Sequence, residues 1–199
     1  MDKGGTLFLE RRYDQELRNI IYENDWFMKV LKTVRECYLP DWFVGAGVIR
    51  SLVWDHLHGY SDGTPLKDID VAYFDSSNLS PERDENILKL LMEKEPDVPW
   101  EVTNQAAVHL WYKEYFGYSV LPLESTEEAI STWPETATSI GVRLLENDEL
   151  DICAPFGLED LFNMKLRRNP KRVTLELFRE RIKEKRILQK WPLVEVIDN

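Results

Sequence analysis

The chain has 199 residues, of which 43% are hydrophobic, 12% aromatic and 31% charged. That composition is globular and long enough to bury one sizeable core, and nine Gly and ten Pro exclude a collagen-like or low-complexity chain. No apolar run approaches the roughly 18–20 residues of a bilayer-crossing helix, so no membrane partner is expected. Met1-Asp2-Lys3-Gly4-Gly5 lacks a basic region followed by an apolar core, and Cys37 and Cys153 are too few and too far apart for a disulfide framework. A cytoplasmic protein with two free thiols is expected. The net charge of −11 counts against a polyanionic partner, yet it is unevenly spread. Over residues 164–191, eleven Lys/Arg stand against three Glu, a local +8 that leaves −19 on the other 171 residues. Such a segment is either an anion-binding face or a solvated helix face.

Over 13–38, Leu17, Ile20, Ile21, Phe27, Met28, Leu31 and Val34 recur at helical spacing, and Asn24-Asp25 is placed to cap a second helix. Pro40-Asp41 breaks the pattern. Trp42-Phe43-Val44 reads as a short buried strand, Gly45-Ala46-Gly47 as the turn leaving it, and 48–58 as a helix. Residues 59–65 form a loop on composition. Residues 68–74 alternate acid with apolar and then turn continuously apolar, as a largely buried strand does. Ser80-Pro81 opens a helix that runs to about residue 94. Trp100-Glu101-Val102-Thr103 is a third strand, Asn104 opens a further helix, and Ser125-Thr126-Glu127-Glu128 has a capping-box pattern. Residues 140–145 and 149–153 pair as a hairpin, and 157–163 and 174–190 read as helices. The expectation is one α/β (α+β) domain over 1–199, a small mixed sheet flanked by helices. It comprises a helical segment 12–38, a sheet core 41–156, and C-terminal helices over 157–191, including a basic one.

The chemistry concentrates in a strand, a Gly turn, a helix, a loop and then Asp68-Ile69-Asp70. Residues i and i+2 of a strand share a face, so Asp68 and Asp70 project together while Ile69 points into the core. Two carboxylates so close repel each other. A divalent cation resolves the conflict, and Mg²⁺ (or Mn²⁺) prefers carboxylates together with substrate phosphates. A metal site there would activate an attacking oxygen and stabilise leaving pyrophosphate. Backbone N–H groups around Gly45, Ala46 and Gly47, at the start of a helix, suit phosphate oxygens. Arg50, in that helix's first turn, either grips a triphosphate or pairs with Asp55 or another acid.

This combination resembles the nucleotidyltransferase superfamily that includes DNA polymerase beta. It is most similar to the head domain of CCA-adding enzymes, whose Gly-Gly-x-h-Arg turn precedes Asp-h-Asp-h. Ala46-Gly47-Val48-Ile49-Arg50 and Asp68-Ile69-Asp70-Val71 occupy those places, with Ala46 for a usual Gly, Ser51 for a usual Asp, and a longer intervening loop. Further blocks, among them 53–59, 100–106, 141–143 and 154–162, resemble a bacterial nucleotidyltransferase-like family of about this length, in which the position of Ala107 is usually basic. The resemblance implies a nucleotidyltransferase fold and NTP as substrate. It also implies a third carboxylate from another strand, either Glu101 or Asp151. Beside Glu101, the amides of Asn104 and Gln105 either read a base or ribose or simply cap a helix. The expected function is metal-dependent transfer of a nucleoside monophosphate from an NTP to an acceptor, RNA or a small molecule, with release of pyrophosphate. The alternative is an inactive nucleotide- or RNA-binding module with the same fold.

Overall fold

The computed structural model describes residues 3–197, with side chains from residue 9 onward; the ends of the expected 1–199 span, and the residues Met1 and Asp2 used above, lie outside the described residues. Two helices open the chain, α1 (Lys3–Tyr22) and α2 (Asp25–Arg35). Asn24 separates them as anticipated, its side chain accepting from Phe27 N at 2.8 Å, which satisfies one free amide of the new helix. Helix α1 starts earlier than the apolar spacing suggested.

Strand β1 (Phe43–Gly45) leads into α3 (Gly47–His58), followed by β2 (Ile69–Tyr73), α4 (Pro81–Lys94) and β3 (Trp100–Asn104). The 3₁₀ turn Gln105–Ala107 then joins α5 (Val108–Phe116), and α6 (Thr126–Ile130) and the 3₁₀ turn Thr136–Thr138 precede the hairpin β4 (Gly141–Leu144) and β5 (Leu150–Cys153). These five strands form one mixed sheet in the order β3-β2-β1-β4-β5, with only β2 and β3 parallel. Its two faces differ. Ile69, Val71 and Tyr73 are at most 1% exposed and join Leu17, Ile21, Phe27, Leu31, Ile49 and Trp54 in the main core. The alternate residues of β2, Asp70 and Ala72, face the other way.

Beyond the sheet the chain forms α7 (Glu159–Phe162), β6 (Lys165–Arg167), α8 (Leu175–Glu184), α9 (Ile187–Lys190) and β7 (Glu195–Ile197), with β6 and β7 paired parallel. The stretch 157–163 is helical for one turn only, and 174–190 is two helices rather than one. Arg186 takes a left-handed conformation (φ 51°, ψ 42°) between them. That reversal carries Trp191 into the core, where it is fully buried against Trp54, ring centroids 5.3 Å apart. The apolar spacing of 175–188 continues across the break and so hides it. Among the described residues no helix is long and apolar enough to cross a membrane.

Candidate active site

Parallel pairing sets Asp70 opposite Glu101 and Ala72 opposite Thr103. Opposite residues share a face, so the two carboxylates stand side by side, with Asp68 one pleat before Asp70. All three line a cavity of about 380 Å³ on the open face of the sheet. The Asp70 carboxyl is pushed up to about 7, first by burial and then by the charges of Asp68 and Glu101. Ionised oxygen ligands of this kind suit a hard cation. Among the described residues no three His, Cys, Asp or Glu side chains form a complete metal-binding group. An ion held here by two carboxylates would fill its shell with water and phosphate oxygens, as Mg²⁺ commonly does.

Strand β1 delivers the turn to the cavity wall. Gly47 lines the cavity; Gly45 does not. A Cβ on Gly45 would stand 2.3 Å from Ile140 O and 2.9 Å from the Trp133 ring. This glycine therefore lets β4 and Trp133 pack closely against β1, and Gly45, expected at the phosphates, stands outside the cavity lining. Ala46 lines the cavity, donates its N–H to Ile140 O at 3.0 Å, and offers α3 no side-chain cap.

Arg50 lines the same wall at 6% exposure. Its guanidinium lies against two indoles, 5.6 Å from the centroid of Trp54 and 4.9 Å from that of Trp191. Among the described residues its buried Nε has no hydrogen-bond partner, and no carboxylate forms an ion pair with it. The pairing with Asp55 is absent because Asp55 is occupied. It accepts from Trp191 Nε1 at 2.7 Å and from the backbone and hydroxyl of Thr64 at 2.7 and 2.6 Å. Burial pulls Arg50 below its ordinary value, with Glu135 opposing; a guanidinium keeps its charge regardless.

The C-terminal segment supplies further cations. Arg172, Arg181 and Lys185 line the cavity. Glu135, 5% exposed, pairs with Arg181 at 3.1 Å and accepts from Thr138 Oγ1 at 2.8 Å. Burial lowers Lys185, and Arg181 and Arg50 lower it further. Near Arg50, then, three cations meet one buried carboxylate. The charge count over 164–191 was the one signal of this cluster, and nothing in the sequence marked Glu135.

Two other expected residues are placed elsewhere. Asn104 Oδ1 accepts from Asp75 N and Ala106 N at 3.0 and 3.2 Å, and its Nδ2 donates to Asp75 O and Asn78 O at 2.9 Å each. Its hydrogen-bonding capacity is spent on the fold, so it has nothing left to read a base. Asp151 sits on the far edge strand, three strand spacings from β2, roughly 14 Å, and pairs with Arg143 at 2.7 Å. Gln105 lines the cavity, its Nε2 donating to Thr103 O at 3.2 Å. Ala107 is buried and does not line it.

Solved structures share this architecture. A protein solved by NMR and described as revealing a CCA-adding enzyme head domain is 30% identical, with a TM-score of 0.76 over 93% of this chain and 96% of that one. A CCA-adding enzyme in complex with CTP (12% identity, TM-score 0.55) and a CCA-adding enzyme in apo form (14%, 0.53) share the fold over 90% of this chain, which spans 42% and 44% of theirs. No curated protein matches the sequence. The sequence profile of the nucleotidyltransferase family matches residues 32–196, which takes in β1, α3, all three carboxylates and the cationic C-terminal segment; the chain belongs to the nucleotidyltransferase family.

Proposed function

We propose that the protein transfers a nucleoside monophosphate from an NTP to an acceptor hydroxyl in a metal-dependent reaction that releases pyrophosphate. One observation carries the reading. Asp68, Asp70 and Glu101 share a single cavity with a cation group, Arg50, Arg181 and Lys185, that holds one carboxylate of its own. Like charges crowded into one cavity are costly unless compensated, and a metal-bound triphosphate compensates both groups at once. Asp68 and Asp70 would hold Mg²⁺ or Mn²⁺, which when bound neutralises developing charge on the phosphate oxygens. Arg50, Arg181 and Lys185 hold the outer phosphates. Glu101 takes the proton of the acceptor hydroxyl as its oxygen bonds to the α-phosphorus. The bond from that phosphorus to the bridging oxygen then breaks, and the cations hold the charge of the departing pyrophosphate. The likeness to CCA-adding enzymes supports RNA as acceptor, and a small molecule fits the same chemistry. A cytoplasmic location accords with this role.

A nucleotide-binding protein without turnover is the second reading. It is favoured by Ala46, which puts a methyl group and a strained backbone where phosphate would approach. The test uses NTPs labelled at the α-phosphate, with Mg²⁺ and with total RNA or a small-molecule extract as acceptor. Labelled product and pyrophosphate are expected from the wild type, and at least about 100-fold less from Asp70→Asn. Undiminished transfer by Asp70→Asn would refute the carboxylate assignment. Metal-dependent NTP binding with no product would favour the second reading.

A further inference from the structure

The cavity is graded along its floor. At the Asp68 end stand Arg50, Arg181 and Lys185; Asp70 and Glu101 come next. One pleat further along the same two strands, about 7 Å on, the floor is Ala72 and Thr103, a methyl and a short hydroxyl. Past Gln105 the wall becomes apolar, with Val108, Trp111, Tyr112 and Phe116 from α5 and Val173 and Leu177 from the C-terminal segment. The rings are held in place by one another. Tyr115 meets Trp111 edge-on, centroids 5.4 Å apart, and Phe116 lies 4.4 Å from Tyr112. Arg172 joins this lining, its guanidinium 5.0 Å from the Tyr112 centroid. Trp111 and Phe116 both line the cavity and remain 36% and 50% exposed, so their rings are accessible to a ligand.

We infer that this aromatic end is the nucleobase subsite, and that Trp111 and Phe116 supply the stacking surface for the base of the bound NTP. The inference rests on the proposed function and orients the substrate within it. An NTP is itself graded, with polyanion, sugar and flat ring in that order, and the cavity presents cations, carboxylates, a narrow neutral floor and aromatic rings in the same order. Stacking on aromatic side chains is tolerant of base identity because every base has a π face. Discrimination among bases falls to the polar groups beside the apolar wall, Thr103, Gln105 and Arg172.

The test compares binding of Mg²⁺–ATP, –CTP, –GTP and –UTP with binding of Mg²⁺–tripolyphosphate, by calorimetry, in the wild type, Trp111→Ala and Phe116→Ala. Both rings are exposed enough for the variants to fold, and unchanged circular dichroism checks this. The wild type is expected to bind at least one NTP more tightly than tripolyphosphate. Each variant should lose about five-fold or more of NTP affinity and keep that for tripolyphosphate. Gln105→Ala should narrow the differences among the four NTPs. If the wild type binds tripolyphosphate as tightly as every NTP, or if both variants bind NTPs like the wild type, the base subsite is refuted while the triphosphate site stands. If the wild type binds neither ligand, the proposed function fails and the subsite with it.

Discussion

Ala46 holds φ 57° and ψ −117°, a region that glycine enters freely and other residues occupy at a cost of roughly 1–3 kcal/mol. The strain is concentrated where β1 turns into α3, beside Gly47 and Asp68. Ala46→Gly should remove it, less the extra freedom a glycine brings to the unfolded chain. A gain of about 1 kcal/mol is expected, read as a higher urea midpoint with an unchanged slope; an unchanged or lower midpoint would show the turn to be unstrained. Asp70 carries the opposite kind of cost. Its carboxyl sits at about 7 in the folded chain against an ordinary 3.8, so its ionisation opposes folding. The contribution of this one group is most favourable below pH 4, falls as pH rises towards 7, and stays lowered above. In EDTA at pH 8, Asp70→Asn should therefore melt higher than the wild type, with a smaller advantage at pH 5. An equal or lower melting temperature at pH 8 would mean that the carboxyl is not destabilised where it stands.

At the level of elements, close packing holds the site together. Gly45 and Gly141 face each other across β1 and β4, and a Cβ on Gly141 would stand 2.7 Å from Ile130 and 2.8 Å from Phe43. Their bare backbones let α6 and Trp133 seat over the sheet. Gly45→Ala should cost about 1–3 kcal/mol through overpacking, in a urea titration; a neutral result would mean that the loop yields freely. The α9 reversal brings Trp191 to Arg50, and Trp191 Nε1 donates to Asp55, which also holds the loop at Thr64. Trp191→Phe should cost about 1–3 kcal/mol, because Asp55 loses a donor in a buried setting, and should weaken tripolyphosphate binding as Arg50 loses its support. Unchanged binding would make Trp191 a packing residue only. Local patterns such as the Asn24 cap, the acid–apolar alternation of 68–71 and the Gly turn were legible in the sequence because they act over a few residues. The β6–β7 pairing, the break at Arg186 and the full use of Asn104 were not. Each depends on partners far away in the chain, and the apolar spacing reads the same with or without them.

At the scale of the whole molecule, the charge asymmetry becomes intelligible. The chain is −11 overall, yet Arg181 and Lys185, from its one basic segment, share a single cavity with the acids of the sheet. A local cation cluster on a body of negative charge gives a compact, metal-compensated anion one place to bind. Such binding should weaken as salt screens the exposed part of the cluster. The central claim is that the acids and the cations together form one metal–triphosphate site. The most direct test is the thermal shift of the wild type and of Asp68→Asn/Asp70→Asn with each NTP, with and without Mg²⁺. Ligand at about 100 times its dissociation constant adds about 2.7 kcal/mol, roughly 5–10 °C for a chain of this size. A shift of that order is expected for the wild type only when Mg²⁺ and an NTP are both present, and it should be lost in the double variant. No shift with any NTP, or the same shift in the double variant, would contradict it.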